Sequence, residues 1–184
     1  MALEVARRRF TVEDYHRMAA AGILTEDDRV ELIAGEIVEM SPMGPRHVDC
    51  LVVLNRLLNR LVGDEALVSV QSSIRLANDG EPEPDIALLK PRRYQESLPA
   101  AADVLLVIEV ADTSLAYDRG VKLPLYAAAR IPESWLFDLV GGAIERHSEP
   151  GSAGYRLIAR AGRGESLTST VLPAVTLSID MILG

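Results

Sequence analysis

The chain is poor in cysteine, in aromatics, in long apolar runs and in positive charge. It holds a single cysteine, Cys50, so no internal disulfide can form. Its apolar neighbours make a buried, inert thiol the expectation, as in a reducing compartment. Aromatic residues make up 4% of the chain, so the core must be aliphatic. No apolar stretch approaches the roughly 20 residues that a membrane span requires. Met1 to Phe10 carries three arginines with no apolar run behind them, unlike a signal peptide. A soluble cytoplasmic protein without a membrane partner is expected. Lys and Arg number 19 against 27 Asp and Glu, giving a net charge of −8. That balance excludes a protein that coats nucleic acid by bulk electrostatics. It leaves room for a local basic groove and for a carboxylate site.

What remains is a globular composition. Of 184 residues, 48% are hydrophobic and 25% charged, which suits one domain with a real core. We read residues 1–10 as a flexible arm and 11–184 as the domain. Thr11 with Asp14 three positions later has the form of a capping box and starts a helix that Gly22 stops. Two short apolar runs, 29–33 and 36–40, flank Ala34-Gly35 and predict a hairpin. His47, Leu51, Leu54, Leu58 and Leu61 recur at helical spacing over 46–62. His47 is then either a satisfied core histidine or a group at the mouth of a site. Alternation over 67–76 predicts a half-covered strand.

The central stretch is Glu81 to Lys122. Pro84 cannot donate to a ladder, so it should open a strand with Asp85 just inside. Val104 to Val110 is apolar throughout except Glu109, as in a strand covered on both faces. Antiparallel pairing of the two would bring Asp85 beside Glu109. Two carboxylates in an apolar sheet repel, and a bound cation would relieve that cost. A helix over 116–130 carries Lys122 on its inward stripe, with Pro124 either starting or kinking it. Taken singly, Asp85 reads equally as a strand-start residue, and Glu109 as the ion-pair partner of Arg119 or Lys122. Residues 134–140 read as a buried strand. A Gly141-Gly142 turn leads into 143–147, and 155–159 and 167–172 read as edge strands of a C-terminal meander, closed by a helical turn over 178–183. Exposed apolar edges there lead us to expect a homodimer.

The stretch Glu31-Leu32-Ile33-Ala34-Gly35-Glu36 through Ser41-Pro42 resembles the opening signature of the Uma-type restriction-endonuclease family. So do Glu83-Pro84-Asp85, Val107 through Leu115, Tyr117-Asp118-Arg119, Lys122, Tyr126 and Ile131-Pro132-Glu133-Ser134-Trp135. The resemblance spans about Phe10 to the C-terminus. It implies the PD-(D/E)XK, or restriction-endonuclease-like, α/β fold: a mixed central sheet flanked by helices, here with an N-terminal helix and hairpin and a C-terminal antiparallel meander. It also implies a metal-dependent endodeoxyribonuclease using Mg²⁺ (or Mn²⁺) on DNA. Asp85 and Glu109 correspond to the metal-binding acids. The superfamily lysine two residues after the second acid is absent, since Ala111 stands there, and Lys122 matches the lysine that the Uma-type pattern places in the following helix. Glu36 and His47 are expected as additional site residues. Arg46, Lys90, Arg92 and Arg93 are expected to hold phosphates near the cleft. The alternative is a binding module that kept the fold and lost catalysis, suggested by the acidic net charge and the displaced lysine.

Overall fold

The computed structural model describes residues 7–25 and 27–184. Residues 1–6 of the expected arm lie outside the described residues. Arg9 and Phe10 are tied to the hairpin: the Phe10 N–H donates to Gly35 O at 2.9 Å, and Arg9 pairs with Glu36 at 3.7 Å. Helix α1 (Val12–Ala20) starts at the anticipated capping box, in which the Thr11 hydroxyl and the Asp14 carboxylate satisfy each other's backbone N–H. Strands β1 (Val30–Ile33) and β2 (Glu36–Glu39) form the hairpin, with Ala34 and Gly35 both at positive φ in the turn. The 18-residue α2 (Pro45–Val62) follows.

Six strands build the main sheet in the order β3-β4-β5-β6-β7-β8. They are β3 (Leu67–Val70), β4 (Ile86–Leu89), β5 (Val104–Ala111), β6 (Glu133–Asp138), β7 (Ala143–Gly151) and β8 (Gly154–Ala161). β5 and β6 are parallel, and every other pair is antiparallel. The parallel step needs a crossover, which the helical segment between them supplies. β3 is shorter than its alternation suggests. Gln71 adopts φ 45°, which breaks the ladder, and Arg75 instead bridges to Ala100. The meander also differs from expectation. β8, over the expected 155–159, is the last strand of the sheet, but 167–172 is not one strand. β9 (Ser166–Thr168) pairs with β10 (Thr176–Ser178) in a separate two-stranded ribbon before α5 (Asp180–Leu183).

One face of the sheet packs Ile86, Leu88, Leu106, Ile108, Trp135 and Phe137 under the α2 stripe Leu51, Leu54, Leu58 and Val62. The other face packs Ala87, Leu89, Val107, Ala111 and Leu136 against Leu123, Tyr126 and Ile131. β5 is thus covered on both sides, which is why its sequence is a continuous apolar run. The C-terminal segment is latched by Glu133, which is fully buried. Its carboxylate accepts from the Trp135 indole at 2.5 Å and from the Thr170 N–H at 2.8 Å. Buried charges of this kind persist only when hydrogen-bonded.

Candidate active site

The site grows from the antiparallel pairing of β4 and β5. Ile86 lies opposite Ile108 at the end of the paired ladder; Asp85 directly precedes Ile86 and Glu109 directly follows Ile108, so both lie at that end of the pair. Asp85 sits one residue outside the ladder rather than inside it. Its Oδ2 accepts from the Val110 N–H at 2.8 Å, and its Oδ1 accepts from His47 Nε2 at 2.9 Å. His47 comes from the first turn of α2, a turn with no acidic residue and no side-chain cap. Burial alone would lower the His47 pKa, but the hydrogen bond and charge of Asp85 outweigh it and raise it.

Glu109 is 2% exposed, and the Tyr126 hydroxyl donates to its Oε1 at 2.5 Å. Burial drives the Glu109 pKa up, and Lys122 is the largest influence holding it down. The Lys122 ammonium lies 3.5 Å from Glu109 Oε1 and 3.3 Å from Glu31 Oε2. Burial works against its charge, yet the surrounding carboxylates leave its pKa above the usual lysine value. Glu31 also accepts from the Glu83 N–H at 3.1 Å, which fixes the hairpin to the segment leading into β4.

The expected helix over 116–130 is interrupted. It runs as α3 (Leu115–Tyr117), a π-turn over Asp118–Lys122 closed by the Leu123 N–H on Asp118 O, and α4 (Leu123–Ala128). Pro124 sits in the first turn of α4, where its missing N–H costs least. The π-turn buries both Asp118 and Lys122, and such turns recur at functional sites. Asp118 accepts from the Ser114 hydroxyl at 2.5 Å, while burial still lifts its pKa to about 6.

Asp85, Glu109, Lys122 and His47 are therefore brought to one end of the β4–β5 pair. Glu36 is not. It is exposed and paired with Arg9 at the turn end of the hairpin, where it lies opposite Ile33. Arg46 lies at the site end, but is engaged with Asp112 at 3.4 Å and donates to Leu139 O at 2.7 Å. Lys90, Arg92 and Arg93 follow the far end of β4, which at ~3.3 Å per residue is roughly 16 Å from Asp85. There Arg92 makes two hydrogen bonds to Asp103 and stacks 4.5 Å from the Tyr94 ring centroid. Of the two partners considered for Glu109, Lys122 is the one found; Arg119 pairs with Glu145 instead.

Two functional candidates escape a residue-by-residue reading. Glu31 sits 91 positions before Lys122, and only its burial at a polar spot marks it. Tyr126 enters the sequence reading only as part of the family resemblance, and its hydroxyl is found on Glu109. Among the described residues, no three or more His, Cys, Asp or Glu side chains come together in metal-holding geometry. The donor set is two carboxylates. Mg²⁺ is typically held by one or two carboxylates while keeping several waters, so hard oxygen donors in this number suit it.

Comparison with known proteins adds family and fold. The profile of the Uma2 family, described as "Putative restriction endonuclease", matches residues 12–180. The crystal structure of a "putative nuclease belonging to DUF820" from Anabaena variabilis ATCC 29413 superposes with a TM-score of 0.72. The match covers 95% of this chain and 97% of that one at 14% sequence identity, so what it shows is the fold. No curated protein matches. With its family profile running from α1 to α5 and a nuclease-like mixed sheet beneath it, this chain belongs to the Uma2 family.

Proposed function

We propose that this protein is a Mg²⁺-dependent endonuclease that hydrolyses phosphodiester bonds in DNA. The observation that carries the reading is the register of β4 and β5. It pairs Ile86 with Ile108, which brings the neighbouring Asp85 and Glu109 to the same end of the two strands, and the Lys122 ammonium lies 3.5 Å from Glu109. Asp85 and Glu109 would hold the cation, which supplies Lewis-acid polarisation of the phosphate and a bound water of lowered pKa. Lys122, kept charged by its carboxylate neighbours, stabilises negative charge developing on the phosphoryl group. Tyr126 and Glu31 hold Glu109 and Lys122 in place. Arg46, at the rim, is the nearest of the expected phosphate contacts. A homodimer is part of the same reading. Among the described residues β8 ends the sheet with no further strand beside it, its Leu157 and Ile158 are 53% and 62% exposed, and such edges tend to be covered.

Asp85→Ala and Glu109→Ala, assayed on plasmid DNA with Mg²⁺ and with EDTA, test the proposal. Cleavage should require Mg²⁺ and vanish in both variants. Wild-type rates in Asp85→Ala would refute it. One observation favours the second reading, a binding module without catalysis: both oxygens of Asp85 are already hydrogen-bonded within the protein. Calorimetry separates the two, since the module reading expects no Mg²⁺ or Mn²⁺ binding at millimolar concentration.

A further inference from the structure

Arg119 and Lys122 leave the same π-turn for different strands. Lys122 meets Glu109 on β5. Arg119 reaches Glu145 on β7, donating from Nη2 to Oε1 at 2.8 Å and from Nε to Oε2 at 3.3 Å. β6 lies between those strands, which puts their backbones roughly 10 Å apart. In a regular α-helix, residues three apart are neighbours on one side. Glu145 is a built receptor for the guanidinium. It is 7% exposed, and His147 Nε2 lies 3.1 Å from its Oε2. Burial alone would raise the Glu145 carboxyl pKa, but the hydrogen bonds with Arg119 and His147 outweigh it and lower it. β7 is paired on both sides, to β6 and to β8, so it is a fixed reference. The middle of the turn offers no other hold: Gly120 faces open space and Val121 is 38% exposed.

We infer that Arg119 is the positioning residue of Lys122: its fork on Glu145 holds the π-turn in the register that delivers the ammonium to Glu109. The catalytic consequence rests on the nuclease reading, in which Lys122 stabilises charge on the phosphoryl group. Reversion of the turn to α-helical bonding shifts the chain beyond it by one residue, about 100° at 3.6 residues per turn. That rotation carries the ammonium off Glu109. A two-pronged Arg–carboxylate pair opposes it, because parallel bonds fix orientation as well as distance. The Arg119 side chain is 44% exposed, so the rival role is a direct contact to a DNA phosphate.

The chain has two lysines, exposed Lys90 and buried Lys122, so Lys90 serves as an internal reference. Full-length protein is acetylated sparingly with acetic anhydride, and the ratio of Lys122 to Lys90 modification is read by mass spectrometry. Arg119→Met should raise that ratio roughly tenfold, because a freed turn opens locally. Glu145→Gln should do the same, and it serves if Arg119→Met fails to fold. Arg119→Lys, which keeps the charge, should restore part of the shielding. Thr11→Ala weakens α1 instead and should leave the ratio at the wild-type value, which separates positioning from general destabilisation. On plasmid DNA with Mg²⁺, Arg119→Met and Glu145→Gln should lose about 10²-fold in kcat with KM unchanged, the order expected for a small misplacement. A phosphate contact would instead raise KM in a salt-dependent way and leave Lys122 shielded, which overturns the inference. A wild-type acetylation ratio in both variants overturns it as well, and leaves the nuclease reading standing wherever the wild type cleaves. If the wild type does not cleave but both variants unshield Lys122, the nuclease reading fails and the positioning role stands.

Discussion

Replacing Lys122 with methionine tests the electrostatic core of the site. Lys122 is 7% exposed, and its ammonium lies within 3.5 Å of two buried glutamates, Glu109 and Glu31. Methionine keeps much of the volume and removes the charge. Breaking a buried pair by deleting one partner costs about 3–5 kcal/mol, because the remaining charge is left uncompensated. For a chain of this length each kcal/mol lowers the unfolding temperature by about 2–4 °C, so the loss should be roughly 6–20 °C near neutral pH. The loss should depend on pH. Burial already raises Glu109 above its unfolded value, and Lys122 is what most restrains it. Without the lysine, Glu109 takes up a proton on folding over a wider range. A folded state that binds more protons than the unfolded one gains stability as pH falls. Lys122→Met should therefore recover much of its deficit near pH 5.5 relative to pH 8. Denaturant unfolding at the two pH values reads this directly. A deficit below about 1 kcal/mol, the ceiling typical of exposed ion pairs, or one equal at both pH values, would refute the buried-pair account.

Two further predictions concern the rim of the site and the start of the fold. His47 donates to the Asp85 oxygen that a cation would need, and Asp85 raises its pKa. The stability this pair contributes is full below the unfolded histidine value of about 6.5 and is lost as pH rises through the folded one. Mn²⁺ affinity measured by calorimetry should accordingly rise with pH over that window in wild type. In His47→Ala it should be stronger at the acid end and nearly flat; weaker binding in His47→Ala throughout would make His47 a ligand instead. Thr11→Ala removes the cap of α1 and should cost about 1 kcal/mol by denaturant unfolding. An unchanged midpoint would show that α1 is held by tertiary contacts alone.

The sequence by itself determined those features whose causes are local. The Thr11–Asp14 box, the Ala34-Gly35 turn and the α2 stripe are set by spacings of two to four residues, and all are found where the pattern puts them. The β4–β5 pairing was legible as well, because a proline fixes one strand start and a lone acid interrupts an otherwise apolar run. Tertiary structure alone decided the strand order, the parallel β5–β6 step and the detached β9–β10 ribbon, since each depends on contacts between distant segments. It also decided which charges meet. Glu31 reaches Lys122 from across the chain, while Lys90, Arg92 and Arg93, only a few residues from Asp85, follow the far end of an extended strand. Nearness in sequence becomes distance along a strand, and periodicity records which face a residue takes but not which partner that face will find.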